Sequence, residues 1–184
     1  MAIEKYVTSC LVIESFDQGE HDRAYRLFTR EFGMLMVIAK SVRKLESKLR
    51  AHVLPRTVSL VTLVQGREIW RLVGAEAQGE VPEITHEVVA LLRRFIRGEG
   101  AHKALYDRIA QFLDASQRFD PQKARLLIYY IILVDLGYAD AKIIGARTLK
   151  EYIDWSIDDL YTHLLLSYQA VRLHVHAVLQ ETQL

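Results

Sequence analysis

Near residue 80 the hydrophobic pattern of this chain changes its period, and that change restricts the fold more than any other feature. Before it, apolar and polar residues alternate, β-branched types are frequent, and glycines fall between the runs. A repeat of two belongs to a strand with one buried face. After it, apolar residues recur at three and four, the repeat of an amphipathic helix. The chain therefore reads as α+β: a β domain over residues 1–78 and an all-helical domain over 79–184, with Ala77 to Pro82 as the boundary. At 184 residues the chain is long enough for two small cores.

The spacing predicts strands over Lys5–Phe16, Met34–Val42, Thr57–Gln65 and Glu68–Ala75. Asp22–Thr29 is ambiguous, since Ala24, Leu27 and Phe28 fit a helix face while Tyr25, Leu27 and Thr29 fit a strand face. Its place between two strands, just before the Gly33 turn, favours strand. Gly66, between two apolar runs, is expected to supply the positive φ of a hairpin turn. A short helical stretch, Glu46–His52, separates the third and fourth strands. Five strands with a helix after the third is the OB-fold arrangement, although an SH3-like barrel uses similar pieces.

In the second half, Ile84, Val88, Leu91, Leu92 and Phe95 share a helix face that ends at Arg97-Gly98-Glu99-Gly100. Leu105, Ile109, Phe112 and Leu113 repeat the pattern. Arg125–Leu136 is apolar nearly all round and is followed by Gly137, so it is expected to be the central buried helix. Thr148 with Glu151, and Ser156 with Asp159, read as helix starts, the second opening a long amphipathic stretch to Gln180.

Net charge is only +1, so any polyanion signal must come from where the charges sit. Between residues 40 and 56, Lys40, Arg43, Lys44, Lys48, Arg50 and Arg56 stand against one acid, Glu46. Cys10 is the single cysteine, which excludes an internal disulfide and a Cys-rich zinc site. Its apolar flanks predict a buried strand position. The N-terminus does not resemble a signal peptide, and the longest apolar run, Leu126–Val134, is about half a membrane span. The expectation is a soluble, cytoplasmic protein.

Gly19–Gly33, GEHDRAYRLFTREFG, followed by VIAKSVRKLESKLRA over Val37–Ala51, resembles the N-terminal domain of the RecO family. Family members carry a YGExDR-like turn, an LFT-x-x-x-G hairpin, and an A-K-G-x-R-K segment leading into S-x-L-R. Here Gly19, Glu20, Asp22, Arg23, Leu27, Phe28, Thr29, Gly33, Ala39, Lys40, Arg43, Lys44, Ser47, Leu49 and Arg50 stand at those positions, and Glu68, Trp70, Leu72, Ala75 and Glu76 resemble the last strand. The helical half is similar more weakly, through Leu92-Arg93-Arg94-Phe95, Leu105-Tyr106-Asp107 and Asp135-Leu136-Gly137-Tyr138. It departs from the family in two respects. Ala139–Gly145 holds no cysteine where many members place a four-cysteine zinc module, and Ser41 replaces the usual glycine.

The resemblance implies a recombination mediator of DNA repair. Such a protein binds single- and double-stranded DNA, anneals strands, and helps load recombinase with RecR and single-strand-binding protein, near the nucleoid. It assigns DNA contact to Lys40, Arg43, Lys44, Lys48, Arg50 and Arg56, extended by Arg23 and Arg26. It also places the acidic C-terminal tail of single-strand-binding protein on the helical half. There Leu126, Leu127 and Tyr130 would line a pocket and Lys123 or Arg125 would hold the carboxylate.

No catalytic constellation competes with this. His174 and His176, two apart on a helix, point in different directions, and Asp154, Asp158 and Asp159 fit helix-start roles. There is no Walker loop, no G-x-G-x-x-G and no nucleophile elbow. The expectation is a non-enzyme without cofactor or metal. A protein adaptor that scaffolds RecR or single-strand-binding protein without touching DNA is the alternative of another class, and an RNA-binding OB protein has nothing specific in its favour.

Overall fold

The computed structural model describes residues 4–67 and 69–182, so Glu68, the expected first residue of the fifth strand, lies outside the described residues. The chain forms two compact units, one ending at Tyr106 and the other beginning at Asp107.

In the first unit, β1 (Lys5–Gln18), β2 (Asp22–Thr29), β3 (Gly33–Ala39), β4 (Val58–Gln65) and β5 (Trp70–Ala77) close into a barrel in the order β1-β2-β3-β5-β4. β1 pairs antiparallel with both β2 and β4, and a register shift between Val12 and Glu14 lets it bend from one neighbour to the other. The closing contact is the short parallel pairing of β3 with β5, Val37 opposite Trp70 and Ile38 opposite Arg71. This is an OB-fold barrel. The doubtful segment Asp22–Thr29 is a strand over its full expected length.

Alternation sorts the residues. Cys10, Val12, Tyr25, Leu27, Val61 and Leu63 turn inward and are buried. Burial pushes the Cys10 thiol up to about 12, so it packs as an apolar group and is no nucleophile at neutral pH. Leu11, Ile13 and Phe28 turn outward yet are buried as well. On that side lie α1 (Thr85–Phe95), tied to β1 by Arg93–Glu14 at 3.0 Å, and Tyr106 of α2 (Lys103–Ala115), whose ring centroid is 5.7 Å from that of Phe28.

Three local expectations need correction. β3 stops at Ala39 because Ser41 adopts φ +55, its amide donating to Asp22 at 2.8 Å, and the chain turns there. The helix expected over Glu46–His52 shrinks to a single 3-10 turn, Arg50–His52. Gly66 is not among the positive-φ glycines. It is glycine because a Cβ there would lie 2.5 Å from the Ile69 carbonyl oxygen.

In the second unit, α3 (Pro121–Asp135) starts four residues before the expected Arg125. Asp120 caps it by accepting from Lys123 N, and Pro121 presets its first turn. α4 (Leu149–Asp154) starts at Thr148, and α5 (Ile157–Leu166) carries a complete capping box between Ser156 and Asp159. The stretch expected to run unbroken to Gln180 is broken at Ser167, after which α6 (Tyr168–Glu181) begins. Ile157, Leu160 and Leu164 before the break and Val171, Val175 and Val178 after it keep one helical phase, so periodicity could not reveal it. Among the described residues no helix is long and apolar enough to cross a membrane, and no cluster of His, Cys, Asp and Glu is placed to hold a metal.

Candidate nucleic-acid interface

The basic run between residues 40 and 56 does not form one patch; the turns after β3 divide it. Arg43 and Arg50 fold back over one end of the barrel, where they meet Arg23 from β2. With Tyr25 and Val42 they line a cavity of about 230 Å3. Arg23 donates through Nε to Asp17 at 2.9 Å, Arg43 approaches the same carboxylate at 3.6 Å, and Arg43 also donates to the Gly19 carbonyl at 3.0 Å. The Arg23 guanidinium holds the Asp17 carboxyl below the usual carboxylate range. Burial raises the Tyr25 hydroxyl, which therefore stays protonated as a donor.

Lys40 turns the other way, onto the outer face of β3. There it joins Ile38, Gly66, Arg67, Ile69 and Arg71 around a second cavity of about 360 Å3. Arg67 and Arg71 were absent from the expected set. β5 buries Trp70 and Leu72 and so turns Arg71 outward, and the parallel pairing sets Arg71 beside Ile38. The same row continues through Ala24 to Phe16 on β1. Phe16 is 43% exposed, which makes it the outward aromatic of the barrel; Tyr25, Phe28 and Trp70 are buried, and Tyr6 and Phe32 are half-buried. The face of strands two and three, flanked by the first and last hairpin loops, is where OB-folds bind oligonucleotides. Here Ile38 of β3 meets Arg67 and Ile69 of the last hairpin loop and Arg71 of β5, with Lys40 just past β3 and exposed Phe16 two strands away on β1.

Lys44, Lys48 and Arg56 are exposed on the connection between β3 and β4 but line neither cavity. Arg56 stands at φ +73 and its amide donates to Val12 O at 2.7 Å. Arg26 also lines neither cavity. It pairs with Glu14 at 2.5 Å, and Arg93 of α1 takes the other oxygen of that carboxylate at 3.0 Å. Arg26 is thus part of the join between barrel and helix.

In the second unit the expected tail pocket is not an open groove. Leu127 and Tyr130 are 0% exposed, because α3 is buried nearly all round. The Tyr130 hydroxyl donates to Asp140 O at 2.7 Å and accepts from Ile144 N at 3.2 Å, pinning the loop that bridges α3 and α4. Leu126 and Lys123 are partly exposed, and exposed Arg125 lies over the Tyr129 ring at 5.5 Å.

A closed five-stranded barrel, with cations at one end and beside its β3–β5 pairing, defines an OB-fold protein. Residues 1–79 match the family described as "Recombination protein O N terminal". That match gives residues 1–79 the N-terminal domain of the RecO family, and the chain is similar to curated relatives named DNA repair protein RecO. The relative from Heliobacterium modesticaldum is 44% identical over 71 residues, 39% of this chain and 26% of its own length. Those from Syntrophotalea carbinolica and Aromatoleum aromaticum are each 28% identical, over 149 and 134 residues. These cover 74% and 69% of this chain but 58% and 56% of the relatives. The chain therefore spans less than two thirds of the length of the curated relatives it matches.

Proposed function

We propose that this chain acts in DNA repair and homologous recombination as a non-catalytic, cytoplasmic and nucleoid-associated mediator. Its barrel binds single- and double-stranded DNA, brings complementary strands together, and works with RecR and single-strand-binding protein to load recombinase. The observation that carries the reading is the cluster at the β3–β5 pairing, where Lys40, Arg67 and Arg71 surround Ile38 and Ile69, and Ile38 and Arg71 share a sheet row with exposed Phe16. Cations take phosphates without regard to sequence, and an exposed ring accepts any base. Annealing needs strand contact of that kind and no covalent step.

Titrating fluorescent single-stranded DNA at several salt concentrations tests this. With four to six phosphate contacts, log K against log salt falls with a slope of about −3 to −4, from roughly −0.7 per contact. Replacing Lys40, Arg67 and Arg71 together by glutamate reduces the steepness of that slope by about two units. The same change at Lys142 and Lys150, in the second unit, leaves it intact. Equal losses from both sets, or no salt dependence at all, favour the adaptor alternative.

A further inference from the structure

The cluster at the β3–β5 pairing accounts for Lys40, Arg67 and Arg71 but gives no role to the arginines at the end of the barrel. From the shape and charge of that end we infer that it is a site for a terminal phosphate monoester of a nucleic-acid strand. The inference rests on the reading of the barrel as a nucleic-acid binder and names a distinct subsite within it.

Two observations point to a strand end. The cavity is blind, since its floor is Tyr25 and Val42, which belong to the barrel core at 2% and 1% exposure. A backbone diester must continue on both sides and cannot enter a closed end, whereas a terminal group can. The lining also holds three guanidiniums, from Arg23, Arg43 and Arg50, and no carboxylate. Asp17 pairs with two of them, Arg23 at 2.9 Å and Arg43 at 3.6 Å, but does not line the cavity. A single diester brings one negative charge, while a monoester brings about −1.5 to −2 at neutral pH and three acceptor oxygens. Guanidinium forks match those oxygens in pairs. Arg43, held by Gly19 O as well as Asp17, is preorganised, so little side-chain freedom is lost on binding. The cavity volume of about 230 Å3 is several times the roughly 30 Å3 share of one water, enough for a phosphate group.

The test compares short oligonucleotides of one sequence, with a 5′-phosphate, a 3′-phosphate or hydroxyls at both ends, binding to the full chain at low and at physiological salt. At least one phosphorylated end is expected to bind about ten-fold tighter than the hydroxyl form. Millimolar inorganic phosphate is expected to erase that difference by competition. Arg50→Gln removes the preference while the hydroxyl oligonucleotide still binds; Arg71→Gln weakens all forms alike and keeps the ratio. Equal binding of all three by the unaltered chain overturns the end site and leaves the proposed function standing. A difference that inorganic phosphate does not reduce also overturns it. Adenosine monophosphate binding as tightly as the phosphorylated strand assigns the cavity to free nucleotides instead, and removes the strand-end assignment. If no oligonucleotide binds, the nucleic-acid reading itself falls. The cavity is then judged by whether phosphate raises the melting temperature of the unaltered chain and not of Arg50→Gln; no such rise overturns the phosphate site too.

Discussion

The two ends of the barrel are closed by opposite chemistry. At one end Tyr6, Phe32 and Trp70, from the start of β1, the β2–β3 turn and the start of β5, meet edge-on or tilted at centroid distances of 5.6, 5.4 and 5.1 Å. At the other end Arg23, Arg43 and Arg50 surround an open cavity above Tyr25. Aromatic rings close a barrel by excluding water, and most of their contribution is to stability. Three guanidiniums gain little stability from one exposed carboxylate and keep their charge available to a ligand. Stability thus falls to one end of the five strands, and the site we propose falls to the other.

Trp70→Ala should show the largest effect. It opens a cavity in the aromatic end and costs about 3–5 kcal/mol, read by urea unfolding, while the salt slope of DNA binding stays the same. A loss of DNA affinity larger than the unfolded fraction explains would break the division between the ends. Next comes the reverse experiment: Arg43→Glu and Arg50→Glu together lower affinity for a strand with a terminal phosphate on the order of ten-fold or more. Unfolding should shift by less than about 1 kcal/mol, because these positions are exposed. Glu14→Gln sharpens the comparison from a third place. It leaves Arg26 and Arg93 without their shared carboxylate and costs about 1 kcal/mol after discounting for solvent, with no loss of DNA binding. Ser41→Gly is the smallest. Relief of the left-handed backbone offsets the entropy of glycine to within about 0.5 kcal/mol, whereas Ser41→Val costs about 1–2 kcal/mol.

Much of the fold was legible because its signals are local. Alternation marked the five strands, Gly33 marked a turn, and Ser156 with Asp159 marked a helix start that carries a complete capping box. Gly33 is held to glycine twice over, by φ +71 and by a Cβ that would lie 2.0 Å from Gly100 O, and only the first reason shows in the neighbouring residues. The start of α3 was missed because its apolar repeat begins after its cap, although Asp120-Pro121 carried the signal. The break at Ser167 left no trace, since the buried positions stay in phase across it.

The candidate site was legible only as composition. The sequence by itself determined that cations concentrate between residues 40 and 56 and that Cys10 is buried. It could not determine which cations share a surface, because that depends on which strands become neighbours. The parallel β3–β5 pairing brings Arg71 and Arg67 to Lys40, a sequence separation that no local pattern spans. The turn at Ser41 sends Arg43 and Arg50 back to Arg23, while Glu14 brings Arg26 and Arg93 to one carboxylate. Burial of Leu127 and Tyr130 was likewise decided by packing on every side of α3, since an apolar helix face looks the same in sequence whether a neighbour covers it or a partner is meant to. Periodicity reports which way a side chain points from its own backbone; only the tertiary structure decides what stands opposite.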